Sequence, residues 1–295
     1  MSDITLEQQS ITRKPSAFER RIHEVDFLRG LLIMLVLMDH LFWCLRTYNL
    51  DWFYASGGAI TSYSYDGIIY NETFSGGNSF FFWVYHVANL YFGSLWREIV
   101  RYICLFLFCF LSGISTAFSK NNWARAGQMI GVYALIAVGS NLLNASKILG
   151  EGFGTIIDFN VIGVLAFSTL AYCFIQKRSW KALLAATLLF FLFWWYTLPW
   201  LYDTPMGDAR APALWARYSD DFADWMPLFP YIIFYFMGTL FSHFFYVPTR
   251  QSLFKRRGNW ERPFCFFGRH SLILYLAHQF VFTPIFMIIT AILGY

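Results

Sequence analysis

Two histidines and an arginine stand inside stretches that are otherwise apolar. Residues 24–45, "EVDFLRGLLIMLVLMDHLFWCL", carry Asp26, Arg29, Asp39 and His40. Residues 267–280, "FGRHSLILYLAHQF", carry Arg269, Ser271, Tyr275, His278 and Gln279. A neutral imidazole can take a proton from a hydroxyl or amine as that group attacks an electrophile. A guanidinium pairs with phosphate through a planar, two-pronged set of hydrogen bonds.

Helical geometry puts them in register. Eleven residues turn through about 1100°, roughly 20° past three full turns, so Arg29 and His40 share a face about 16 Å apart. Asp26, three residues before Arg29, lies near that face and can pair with it. Ile33, Val36 and Leu37 fill the stripe between them. Arg29 alone reads as an anchor that snorkels to the surface. His40 lies about 20 Å from Asp26, past the midplane of a bilayer. Asp39 is rotated about 100° from His40 and is not assigned to orient it. In the second stretch, His278 lies about 13 Å from Arg269, and Ser271, Tyr275 and His278 share a face. Two histidines at overlapping depth point to one polar cavity, against a bland reading in which each only satisfies an interhelical hydrogen bond.

The elements that position these residues are set by composition. Hydrophobic residues make up 57% of 295 positions and charged residues 14%, with 34 Phe and 12 Trp. A soluble domain of this length needs more charge on its surface, so the chain reads as an all-α, polytopic membrane bundle. Apolar segments at 26–47, 98–118, 127–146, 156–176, 181–201, 225–246 and 269–293 predict seven spans. Residues 78–96 are aromatic and are expected to lie in, or dip into, the outer interface.

Basic residues orient the bundle. With seven spans, Arg13, Lys14, Arg20, Arg21, Lys120, Arg125, Lys177 to Lys181 and Arg250 to Arg269 fall on one side. Arg46, Arg97, Arg101, Lys147, Arg210 and Arg217 fall on the other. The first group marks the cytoplasm, so the N-terminus is expected inside and the C-terminus outside, in a cell inner (plasma) membrane. Residues 1–22 form a polar N-terminal segment expected to be retained and partly disordered, and 23–295 form the membrane domain. The 48–77 and 202–224 connections are the external candidates for a cavity.

Cys44, Cys104, Cys109, Cys173 and Cys265 show no metal-ligand spacing and read as packing residues; no metal is expected. Nothing in the chain points to nucleic acid. A homodimer stays open.

Four stretches, in order, resemble one family. The spacing from Arg29 to His40 in "EVDFLRG…MDHL", the Ser-Gly ending of "LFLFCFLSGIS" (105–115), the Asp-x-x-Pro-x-x-Pro of "DWMPLFPYIIFYFMGTLF" (224–241) and the Gly-x-x-Ser…Tyr-x-x-His of residues 268–278 are similar to the transmembrane acyltransferase superfamily. The chain looks closest to bacterial relatives of the heparan-α-glucosaminide N-acetyltransferase catalytic domain, and it also resembles the acyltransferase-3 proteins. It departs from many relatives at Ala166, where a polar residue follows Gly-Val-Leu, with Asp158 and Asn160 nearby as substitutes.

The resemblance implies transfer of an acetyl or other short acyl group from cytosolic acyl-coenzyme A to an extracytoplasmic sugar or glycan of the cell envelope. His40 is the expected general base, and His278 is expected to position the acceptor or to share proton handling. Arg29, Asp26, Ser112 and Arg269 are expected on the donor side. Asp39, Tyr275, Gln279 and Asp224 are expected near the acceptor or behind the reacting groups. The rival of another class is a proton-coupled transporter, since intramembrane His, Arg and Asp also build proton relays. Against it, no internal repeat and no pair of interrupted spans in matching halves is present.

Overall fold

Length and capping explain the first elements. α1 runs from His23 to Ala55. Its 33 residues span about 50 Å, well beyond a hydrocarbon core of about 30 Å. Glu24 and Asp26 occupy its first turn, where the helix dipole favours negative charge. The computed structural model describes residues 22–65, 68–146, 160–203, 226–248, 252–253 and 258–295. Within them the chain is nearly all α-helical and falls into two compact units.

The terminal unit comprises His23–Cys104 and Arg256–Tyr295. After α1, Gly57 adopts a positive φ of 85° and turns the chain into an antiparallel hairpin. β1 (Ala59–Tyr65) pairs with β2 (Ile68–Ser75) in the register Ala59↔Ser75 and Ile60↔Phe74. The 48–77 segment, expected to be a loop, is therefore the end of α1 plus a hairpin. Alternating Tyr, Ser and Thr suit a pleated strand better than a coil.

α2 (Ser79–Phe92) follows, capped by Asn78, whose side chain accepts from the Phe80 N–H at 3.0 Å. Its 14 residues cover about 21 Å, short of a bilayer core. α3 (Leu95–Ile114) continues into a 3₁₀ turn, Ser115–Phe118, and carries the chain into the second unit.

The central unit contains α4 (Asn122–Ser146), α5 (Val161–Ile175), α6 (Trp180–Asp203) and α7 (Tyr231–Phe245). Its core is Tyr231, Ile232, Tyr235 and Phe236 of α7 against Val164, Leu183 and Cys109. Asn160 is buried and caps α5, its Oδ1 accepting from the Ile162 and Gly163 N–H groups at 3.0 and 3.1 Å. That commitment accounts for the polarity noted near Ala166. Asp158 lies outside the described residues.

The chain closes in the terminal unit with α8 (Glu261–Arg269) and α9 (Ser271–Leu293). A single helix from 269 was expected. That helix is α9, starting two residues later, and α8 is an additional element before it, set off at His270. Pro263 in the first turn of α8 loses no helical hydrogen bond there, and Glu261 complements the dipole. Nine residues of alternating character carry too little apolar run to be read as an element.

Every segment expected to span holds a helix, yet only four helices among the described residues are long and apolar enough to cross a membrane. They are His23–Ala55, Leu95–Phe118, Trp180–Thr197 and Ser271–Leu293. α5 and α7 are apolar but have 15 residues each, about 22 Å. The protein is an integral membrane protein by these helices.

Candidate functional site

α1 is the spine of the site. At Asp26–Gly30 it meets α8 so closely that a Cβ on Gly30 would run into the Phe264 carbonyl, and one on Gly268 into the Asp26 carbonyl. Only glycine on both helices permits that approach. The crossing sets Arg29, half-buried and adjacent to Gly30, near Arg269, which is exposed and adjacent to Gly268. Arg269 Nε donates to the Cys265 carbonyl at 3.0 Å. Three expected donor-side residues, Asp26, Arg29 and Arg269, thus gather at one helix crossing.

Eleven residues further along α1, the structure brings the two histidines together. The His40 and His278 rings have centroids 4.4 Å apart and meet edge to face at 75°. His40 Nδ1 is 2.9 Å from the Val36 carbonyl oxygen, and His278 Nδ1 is 2.5 Å from the Tyr275 carbonyl oxygen. A carbonyl only accepts, so each Nδ1 carries the hydrogen, and in the neutral rings each Nε2 presents its lone pair. His278 is 4% exposed, and its Nε2 has no hydrogen-bond partner. A buried nitrogen left with an open lone pair is costly unless it serves a purpose. In the neutral form both rings therefore leave Nε2 without a hydrogen.

Asp39 is used elsewhere, as its rotation on the helix requires. Arg97 Nε donates to Asp39 Oδ1 at 2.7 Å and a terminal guanidinium nitrogen to Oδ2 at 2.9 Å. The Tyr91 hydroxyl donates to Oδ1 at 2.9 Å. Burial, followed by the Asp39 carboxylate, pushes the Tyr91 phenol up to about 12, so it stays protonated and remains a donor. The Arg97 guanidinium lies over the Phe92 ring at 4.0 Å, and the Tyr91 ring stacks on Phe42 at 4.5 Å. On the next turns, Arg46 Nε donates to Asn89 Oδ1 at 2.9 Å. α2 is thus pinned to the turn of α1 that carries His40.

Tyr91 and Arg97 are members of this polar cluster that the sequence reading missed, Arg97 having served only to orient loops. A signal existed: Asp39 in an apolar helix calls for a cation, and Arg97 opens the next long apolar run. Apart from the ring pair, an open surface hollow of about 290 Å³ lies where β2 meets α2, beside Phe53 of α1, lined by Thr73, Phe74, Phe82, Trp83 and His86.

The other expected residues fall apart from this cluster. Tyr275 is half-buried on α9 and gives its carbonyl to His278. Gln279 follows His278 on that helix. Ser112 belongs to the central unit, where its Oγ accepts from Arg125 at 2.9 Å. Gly113 after it, and Gly238, mark a second close crossing: their Cβ atoms would meet the Tyr235 and Phe110 carbonyls. These motif glycines serve helix packing. Asp224 lies outside the described residues, as do residues 204–225 of the external connection.

The sequence profile of one family, described as "Heparan-alpha-glucosaminide N-acetyltransferase, catalytic", matches residues 79–280. The chain belongs to that family. The matched stretch runs from the start of α2 into α9 and includes Tyr91, Arg97, Ser112, Asp224, Arg269, Tyr275, His278 and Gln279. Asp26, Arg29, Asp39 and His40 precede it. No curated protein and no solved structure matches the chain. Family membership covers both the helix that holds the second histidine and the two residues that fix Asp39.

Proposed function

We propose that the protein is a membrane acyltransferase that moves an acetyl or other short acyl group from cytosolic acyl-coenzyme A to a sugar on the extracytoplasmic side. The observation that carries this reading is the His40–His278 pair, deep along two apolar helices, with both Nε2 lone pairs available for proton transfer. Membership of an N-acetyltransferase catalytic family supports it.

The proposed mechanism assigns the parts as follows. Arg29 and Arg269 hold the phosphates of the coenzyme at the α1–α8 crossing. A thioester arm extended along the Ile33–Val36–Leu37 stripe covers the roughly 16 Å from Arg29 to His40. His40 Nε2 removes the proton as the acceptor hydroxyl or amine attacks the thioester carbonyl. The new ester or amide forms, the carbon–sulfur bond breaks, and the coenzyme thiolate takes up the proton. Two positive rings 4.4 Å apart would repel, so His278 serves as a neutral acceptor for the same proton. The Asp39–Arg97–Tyr91 cluster holds the turn bearing His40 in place.

We read all seven apolar segments as crossing, α5 and α7 being short helices that cross a locally thinned bilayer. The test uses sealed vesicles of both orientations with labelled acetyl-coenzyme A and a glycan acceptor. Transfer requiring donor on the cytoplasmic face and acceptor on the other is expected. Donor-independent uptake of a solute, with no labelled glycan, would replace this reading with the transporter.

A further inference from the structure

One polar constellation of the terminal unit has no part in the scheme above. At the cytoplasmic end assigned to α1, His23 lies between Glu261 and Cys265 of α8. His23 Nε2 is 2.5 Å from Glu261 Oε2, and His23 Nδ1 is 3.2 Å from Cys265 Sγ. Glu261 and Cys265 are each 8% exposed. They stand one helical turn apart, so both face the start of α1.

The polarity of this chain of contacts is fixed by what each group can do. A carboxylate only accepts, so Nε2 carries its hydrogen toward Glu261. In the neutral ring, Nδ1 therefore has the lone pair and faces the thiol. The Cys265 proton can pass to Nδ1 while Glu261 orients the ring and stabilises the imidazolium. That is the arrangement of a nucleophile, its base and the base's orienting acid. The three groups act in series and do not converge on a point. Among the described residues, no group of three or more His, Cys, Asp or Glu is placed to hold a metal.

All five cysteines are buried, and Cys265 is set apart by the His23 imidazole beside its sulfur. We infer that Cys265, His23 and Glu261 form a nucleophilic site at which the protein becomes S-acylated by acyl thioesters. In the step, Cys265 Sγ bonds to the acyl carbonyl carbon as its proton moves to His23 Nδ1. The bond from that carbon to the donor sulfur breaks, and the departing thiolate takes the proton from His23. One thioester is exchanged for another, so no further reactant is needed. Seventeen residues of α1, about 26 Å, separate His23 from His40, so this is a second site and not part of the first. Only the choice of coenzyme A as a donor rests on the function proposed above.

Purified full-length protein is incubated with labelled acetyl-coenzyme A, or with the acetyl thioester of N-acetylcysteamine, which has no phosphates, and then denatured. Label on Cys265, released by neutral hydroxylamine, is expected. It should vanish in C265S, fall about tenfold or more in E261Q, and persist in H40A. A second arm measures iodoacetamide alkylation of Cys265 in the folded protein, independent of any acyl donor. Faster alkylation in the wild type than in E261Q supports the site, and equal rates would overturn it. Acceptor transfer by a wild type that never carries label on Cys265 would also overturn it, while leaving the His40 reading intact. Label on Cys265 in a wild type that transfers nothing would remove the His40 reading and keep this one.

Discussion

Removing Arg97 should unsettle the site through the charge it leaves behind. In the folded protein its guanidinium grips Asp39 with two hydrogen bonds, and the side chains are only 18% and 27% exposed. Breaking a buried pair by deleting one partner costs about 3–5 kcal/mol, most of it the stranded charge. Here the exposure and the remaining Tyr91 hydroxyl favour the lower end, about 3 kcal/mol, roughly a hundredfold in the folding equilibrium. Asp39→Ala should cost a similar amount by stranding Arg97. The double variant should cost clearly less than the sum, since neither charge then remains. The assay is a denaturant titration of the four proteins in one detergent, read as a double-mutant cycle. Additive losses would refute the reasoning, because they would mean that the two charges are independently solvated. The same variants report on His40: Arg97→Ala should lower kcat more than it raises KM, because it loosens the turn behind the base and not the donor site.

Other expectations follow from the same geometry. His40→Ala should lower acyl transfer by about 10²–10⁴-fold while the protein still inserts, and a purified variant keeping more than about a tenth of its activity would exclude a general-base role. Arg29→Ala should weaken binding of a non-hydrolysable coenzyme A analogue, Arg29→Lys should recover part of it, and His40→Ala should bind normally. Unchanged binding by Arg29→Ala would return that residue to a surface anchor. A reporter after Lys120 should map to the cytoplasm and one at Asp208 to the outside; the reverse for Lys120 would mean that residues 78–96 cross the membrane.

Composition and periodicity determined much of this protein. The shortage of charge left no option but bilayer helices, and the 3.6-residue repeat put Arg29 and His40 on one face by their spacing alone. The helix positions were legible for the same reason, since an apolar run long enough to cross a membrane has few other uses. Family membership was legible in four short motifs.

Partners were not legible, because they come from other helices. Nothing local says that the imidazoles of His40 and His278, 238 residues apart, meet at 4.4 Å, or that Asp39 turns from His40 toward Arg97 and Tyr91. The break at His270 depends on α8 docking through Gly268 onto Gly30, a contact of backbones that side-chain patterns do not encode. That docking also set Cys265, read as a packing residue, against His23, which meets Glu261 through its other nitrogen. Residue spacing sets which side of its own helix a side chain occupies; what lies across from that side is decided only when the helices pack.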